Sequence, residues 1–78
     1  MSNEQAKVEP LREFDVVALL QDLPDKGLTS GQVGTVLYVH NQGEAFEVEF
    51  FENPREPTLL ALQRDQLLKL HGMRVGAA

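Results

Sequence analysis

The stretch Leu28-Thr29-Ser30-Gly31-Gln32-Val33-Gly34-Thr35-Val36-Leu37-Tyr38-Val39 constrains this chain more than any other. Two glycines three apart open a run dense in Val, Leu, Thr and Tyr, whose branched or aromatic side chains suit a pleated strand. Glycine in such a place supplies a positive φ for a turn or room for a close backbone approach, and either one bends a strand sharply. The expected product is a bent strand of a small barrel. It is an instruction to the backbone and carries almost no chemistry.

The chain of 78 residues is enough for one domain. A domain this small buries only about 60% of its unfolded surface, so its core has little margin. With no cysteine, neither a disulfide framework nor a thiolate metal site reinforces it. The apolar residues, concentrated between Phe14 and Leu70, must carry the fold alone. The first ten residues hold no apolar core of signal-peptide length, and no run approaches the roughly 20 apolar residues of a membrane span. The expectation is a cytoplasmic protein with a polar tail over residues 1–13, a folded domain over 14–70 and a second tail over 71–78.

Within the domain, Asp15-Val16-Val17-Ala18-Leu19-Leu20 reads as a short strand, apolar on both sides for part of its length. Asp22-Leu23-Pro24-Asp25-Lys26-Gly27 interrupts it, with Pro24 and Gly27 as turn residues. Gln32 to His40 forms the next strand, and Gly43 supplies the left-handed residue of a tight hairpin. Ala45-Phe46-Glu47-Val48-Glu49-Phe50 alternates cleanly, so Phe46, Val48 and Phe50 face a core while Glu47 and Glu49 face out. The predicted hairpin register pairs Val39 with Phe46, Leu37 with Val48 and Thr35 with Phe50. A slip of one residue would turn a whole side-chain set to the wrong face. Gly34 leaves room for a bulge that turns Val33 and Val36 inward together.

Pro54 and Pro57 make a loop of Glu52 to Pro57. Two arrangements fit Thr58 to Leu70. Leu60 and Leu67, or Leu59, Leu62 and Leu70, line a helix. Alternatively Thr58 to Gln63 is a strand, Arg64 to Leu67 one helical turn, and Leu68 to Leu70 a closing strand. Periodicity does not separate the two over so short a run, and closing a barrel, which removes open edges, favours the second.

Together, Asp15-Val16-Val17-Ala18-Leu19, Asp22-Leu23-Pro24, Gly27-Leu28, Gly31-Gln32-Val33-Gly34-Thr35-Val36, Glu47-Val48-Glu49-Phe50 and Asp65-Gln66-Leu67 resemble a family of small bacterial proteins. That family is catalogued as a domain of unknown function and expected to form an SH3-like barrel. The resemblance covers about residues 14–70. It implies an all-β fold: a small five-stranded SH3-like barrel with a long first loop and one short helical turn before the last strand. It brings no catalytic residues. A looser similarity, Gly31, Gly34 and Val36 in a Gly-x-x-Gly-x-Val strand, links the chain to ribosome- and transcription-associated modules that contact RNA through basic loops.

Charge weighs against that second likeness. Across Phe14 to Leu70 stand four cations (Lys26, Arg55, Arg64, Lys69) and nine acids, a net −5. Binding a phosphate backbone needs Lys and Arg to neutralise phosphates. Catalytic material is equally thin. Ser30 sits beside Gly31 in a turn, where its hydroxyl is expected to serve the local backbone. His40 and His71 lack the spacing of metal ligands and read as solvated imidazoles. No catalytic, cofactor or metal site is expected.

For binding, Tyr38 and Phe51 stand out. In the predicted register Tyr38 lies opposite Glu47 on the outer face, and strand parity puts Phe51 outside as well. Surface aromatics are what interfaces use as anchors. The function expected from the sequence is therefore a non-enzymatic interaction module, binding or neutralising a basic protein partner through Tyr38, Glu47, Glu49 and Phe51. The module would act as a monomer or weak homodimer. The alternatives are a nucleic-acid-binding module of the Gly-x-x-Gly-x-Val type and a small ligand-binding protein.

Overall fold

In the structure, a computed structural model that describes residues 9–51 and 56–74, the alternating hexapeptide becomes the buried floor of a sheet. Phe46, Val48 and Phe50 are fully buried and join Val17, Leu19, Leu28, Val36, Leu62 and Leu67 in one cluster. Five antiparallel strands form one sheet: β1 (Asp15–Leu19), β2 (Val33–His40), β3 (Ala45–Phe50), β4 (Thr58–Gln63) and β5 (Leu67–Arg74). Their order is β4-β3-β2-β1-β5. The long first loop and the single helical turn before the last strand are both present, at 20–32 and Arg64–Gln66. The protein is all-β with the strand plan expected of a small SH3-like fold.

The barrel does not close. Among the described residues β4 and β5 remain the two edges of the sheet, contrary to the expectation that closure removes them. A corner joins their ends instead. Leu20 N–H donates to the Gln66 carbonyl at 2.9 Å, and Arg64 N–H to the Glu44 carbonyl at 3.3 Å. The turn at this corner also settles the strand–turn–strand reading of Thr58 to Leu70. The Gln63 side chain accepts from Gln66 N–H, and Gln63 N–H donates to Gln66 Oε1 at 2.7 Å. The capping box satisfies two donors at the start of the turn, and Leu67 returns to extended backbone (φ −128°, ψ 139°) with its N–H on the Arg64 carbonyl, which ends the helix after one 3-10 turn.

The glycines divide the labour as their spacing predicts. Gly31 takes φ +94° and donates its N–H to the Leu19 carbonyl at 2.7 Å, returning the chain beside β1. At Gly34 a Cβ would meet Val48 Cγ1 at 2.8 Å, the Glu49 carbonyl at 2.9 Å and Phe50 Cδ1 at 2.9 Å. No side chain fits there without displacing β3. At the hairpin, Gly43 is left-handed as expected, and so are Asn41 and Gln42 before it.

The β2–β3 register holds near the hairpin and shifts further on. Val39 pairs with Phe46 and Tyr38 with Glu47, but Val36 pairs with Val48 and Gly34 with Phe50. The bulge lies between Val36 and Tyr38 rather than near Gly34, so Leu37 is the inserted residue. Past it, parity reverses relative to the predicted pairs. Val36 is fully buried while Val33 stays 48% exposed, so only one of the two valines turns inward.

Both domain boundaries move outward. Leu11, placed in the N-terminal tail by sequence, is 4% exposed within the core cluster. Arg12 N–H donates to the buried Asp15 Oδ2 at 2.9 Å, and Phe14 N–H to the Val36 carbonyl at 2.7 Å. A short apolar plug and its turn therefore belong to the fold. At the other end β5 continues four residues past Leu70, to Arg74. Residues 1–8, 75–78 and the 52–55 part of the predicted proline loop lie outside the described residues.

Candidate functional site

Side chains alternate across a strand, so pairing fixes which residues share the outer face. Tyr38 stands opposite Glu47, Thr35 opposite Glu49, and on the far side of β3 Ala61 faces Glu47 while Leu59 faces Glu49. Tyr38 is 58% exposed, and its ring stacks on His40 with centroids 5.8 Å apart and planes 22° off parallel. His40 Nε2 lies 3.0 Å from Glu47 Oε2. Tyr38, His40 and Glu47 thus form one connected group at the hairpin end. Glu49 follows, half-buried between Thr35 and Leu59.

Phe51 comes directly after β3, is 53% exposed, and shares the parity of Glu47 and Glu49. At about 3.4 Å per residue it lies roughly 13 Å along the strand from Glu47. The structure therefore brings Tyr38, Glu47, Glu49 and Phe51 to one face and spreads them along it. Tyr38 stands beside Glu47 at one end and Phe51 at the other, with Glu49 between.

The sequence reading missed the apolar residues that widen this face. Leu59 and Val33, half exposed, border it on β4 and β2, and Leu68 continues past Ala18 on β5. Their signal was parity on β4 and β5, which becomes readable only once the turn at Arg64–Gln66 is fixed. Both histidines are exposed, as the sequence suggested, and each also meets a surface carboxylate: His40 contacts Glu47, and His71 Nε2 lies 2.6 Å from Glu9 Oε1. Arg64 donates from Nε and Nη2 to the Glu9 carbonyl at 3.0 and 2.7 Å, and from Nη1 to the Leu67 carbonyl at 2.7 Å. Burial holds that guanidinium below its ordinary pKa, and the Glu9 carboxylate opposes the shift.

Ser30 acts as a turn residue: its N–H donates to Asp22 Oδ1 at 2.9 Å, and its hydroxyl to the Leu19 carbonyl at 3.4 Å. Two hollows mark the surface. One, of about 290 Å³, is lined by Leu23, Pro24, Asp25, Lys26, Leu60, Ala61, Leu62 and Gln66. The other, of about 350 Å³, lies between Gly43–Glu44 and Gln63–Asp65. Both are at the small end of the roughly 300–1,000 Å³ typical of small-molecule pockets.

Residues 13–69 match the family model described as Domain of unknown function (DUF4926). The chain belongs to this family. The DUF4926 segment takes in β1 to β4 and the start of β5, and leaves Glu9 to Leu11 outside although they pack against it. No curated protein and no solved structure matches the chain. Among the described residues no helix is long and apolar enough to cross a membrane.

Proposed function

We propose that this DUF4926 protein is a non-enzymatic interaction module that binds a basic protein partner in the cytoplasm through the outer face of β2 and β3. One observation carries the reading: Tyr38, paired with Glu47, and Phe51, two residues past Glu49, are each more than half exposed along this acidic strand. The carboxylates and the net charge of −5 would speed encounter with a cationic surface. The aromatics would then slow dissociation, the step in which most affinity differences reside. The same charge balance disfavours a nucleic-acid backbone.

Affinity capture tests this with three baits: the wild-type chain, Glu47→Lys with Glu49→Lys, and Phe51→Ala. A basic protein retained by the wild type, lost on charge reversal and eluted faster from Phe51→Ala supports the reading. Equal capture by all three baits, or retention of RNA at physiological salt, overturns it.

A further inference from the structure

We propose that the outer edge of β4, together with the hollow beside it, accepts an extended cationic peptide segment of a partner protein as an added strand, with one apolar side chain seated in the hollow. This site is separate from the outer face of β2 and β3 and stands without it. The β3–β4 ladder sets which backbone groups are open. Arg64 N–H donates to the Glu44 carbonyl, one pair beyond Ala45–Gln63, so alternate pairs along β3–β4 are the hydrogen-bonded ones. Thr58, Leu60 and Leu62 therefore turn their backbone groups toward β3. Leu59, Ala61 and Gln63 turn theirs outward. Gln63 N–H is taken by Gln66 Oε1, which agrees with that phase and stops the open edge at that end. Among the described residues, no backbone pairs with the outward groups of Leu59 and Ala61.

Native sheets blunt such an edge with a charge, a proline, a bulge or a covering segment. Thr58-Leu59-Leu60-Ala61-Leu62-Gln63 contains no charge and no proline, and its register against β3 is unbroken. The 290 Å³ hollow touches Leu60 and Leu62, which face inward, and also Ala61, which faces outward. A space that meets both parities lies at the strand's edge. Leu23 and Pro24 join Leu60, Ala61 and Leu62 in lining it, so most of the seat is apolar, and the charges of Asp25 and Lys26, which also line it, cancel. A row of free N–H and C=O groups is complementary to another extended backbone, which fixes the class of occupant. A second copy would bring a net charge of −5 against a molecule that already carries −5, so whole-chain repulsion, rather than any charge on β4, favours a cationic peptide over self-pairing.

The test uses the full chain and linear peptides selected on it from a random phage-displayed library, with the best peptide then synthesised. Amide exchange in the free protein should be fast at Leu59 and Ala61 and slow at Leu60 and Leu62. Bound peptide should slow Leu59 and Ala61. N-methylation at every second peptide position should weaken binding about tenfold, the cost of one or two ladder bonds, with the positions between tolerated. Ala61→Pro should weaken binding similarly, and the N-methyl series decides alone if that variant does not fold. The proposal is overturned if no peptide enriches, or if the bound peptide leaves Leu59 and Ala61 exchange unchanged. Protection of those amides in the free protein that rises with its concentration, the mark of self-pairing, also overturns it.

Discussion

β5 carries Lys69 and His71, shifts register against β1 between Asp15 and Val17, and is tied through His71 and Arg64 to Glu9. β4, at the opposite edge of the same sheet, runs regular, uncharged and beside an open hollow. Two edges of one small sheet thus receive opposite treatment. Among the described residues, the charges, the register break and the covering segment all fall on one side. The regularity of β4 is therefore specific to that strand rather than a general tolerance of open edges.

The contrast breaks most completely where both edges share a support. Phe46→Ala or Phe50→Ala removes a fully buried ring from the floor beneath them, at a cost of about 3–5 kcal/mol. That is comparable with the whole stability of a small domain. Thermal unfolding followed by circular dichroism should show little or no native baseline, whereas Glu47→Ala on the same strand should stay within about 0.5 kcal/mol of wild type. Equal tolerance of both changes would place β3 on the wrong face.

Leu11→Ala sharpens the comparison, because it truncates the residue by which the segment from Glu9 to Leu11 enters the core. A buried leucine truncated to alanine costs about 2–5 kcal/mol, and a site near the chain's entry into the core should fall at the lower end. Denaturant unfolding gives that number. Amide exchange should also show β5 loosening before β4. A change below about 0.5 kcal/mol would remove residues 9–11 from the fold and leave both edges equally bare.

The smallest effects separate the two glycines. Gly34→Ala forces a methyl against the Glu49 carbonyl and Phe50, an overpacking expected to cost about 1–3 kcal/mol. Gly31→Ala meets open space but must hold φ +94°, at about 1–2 kcal/mol. Asparagine tolerates left-handed backbone, so Gly31→Asn should recover part of the loss, whereas Gly34→Asn should be worse than Gly34→Ala. Identical ranking at both sites would mean one mechanism serves both.

Strict local periodicity and the missing side chain of glycine were the two signals legible in the sequence. The Phe46–Glu47–Val48–Glu49–Phe50 alternation placed a strand, its two faces and the exposure of Tyr38 and Phe51. Gly31 and Gly34 announced a turn and a close approach. The bulge at Leu37 was illegible, because Val36-Leu37-Tyr38 reads as uninterrupted strand whichever residue is the insertion. Leu11 stood as an isolated apolar residue among polar neighbours, and burial of a single side chain leaves no period to detect. In Thr58 to Leu70 the closely spaced leucines satisfied helix and strand alike. Pairing of Thr58–Gln63 with β3 and of Leu67 to Lys69 with β1, contacts distant in sequence, decided between them. The hollow beside β4 depends on where the Pro24 turn comes to rest, which no local signal specifies.

The pairing of β1 with β5 joins the first and last strands of the sheet. A chain made from its N-terminus has β2 to β4 available as a meander of local hairpins while one side of β1 still waits. At about 5–20 residues per second, the interval before β5 emerges lasts on the order of seconds. Pairings distant in sequence are also the slow ones to form. Val16, Val17 and Leu19 spend that interval without their final neighbour, so within this sheet β1 is the strand that waits longest for its second partner.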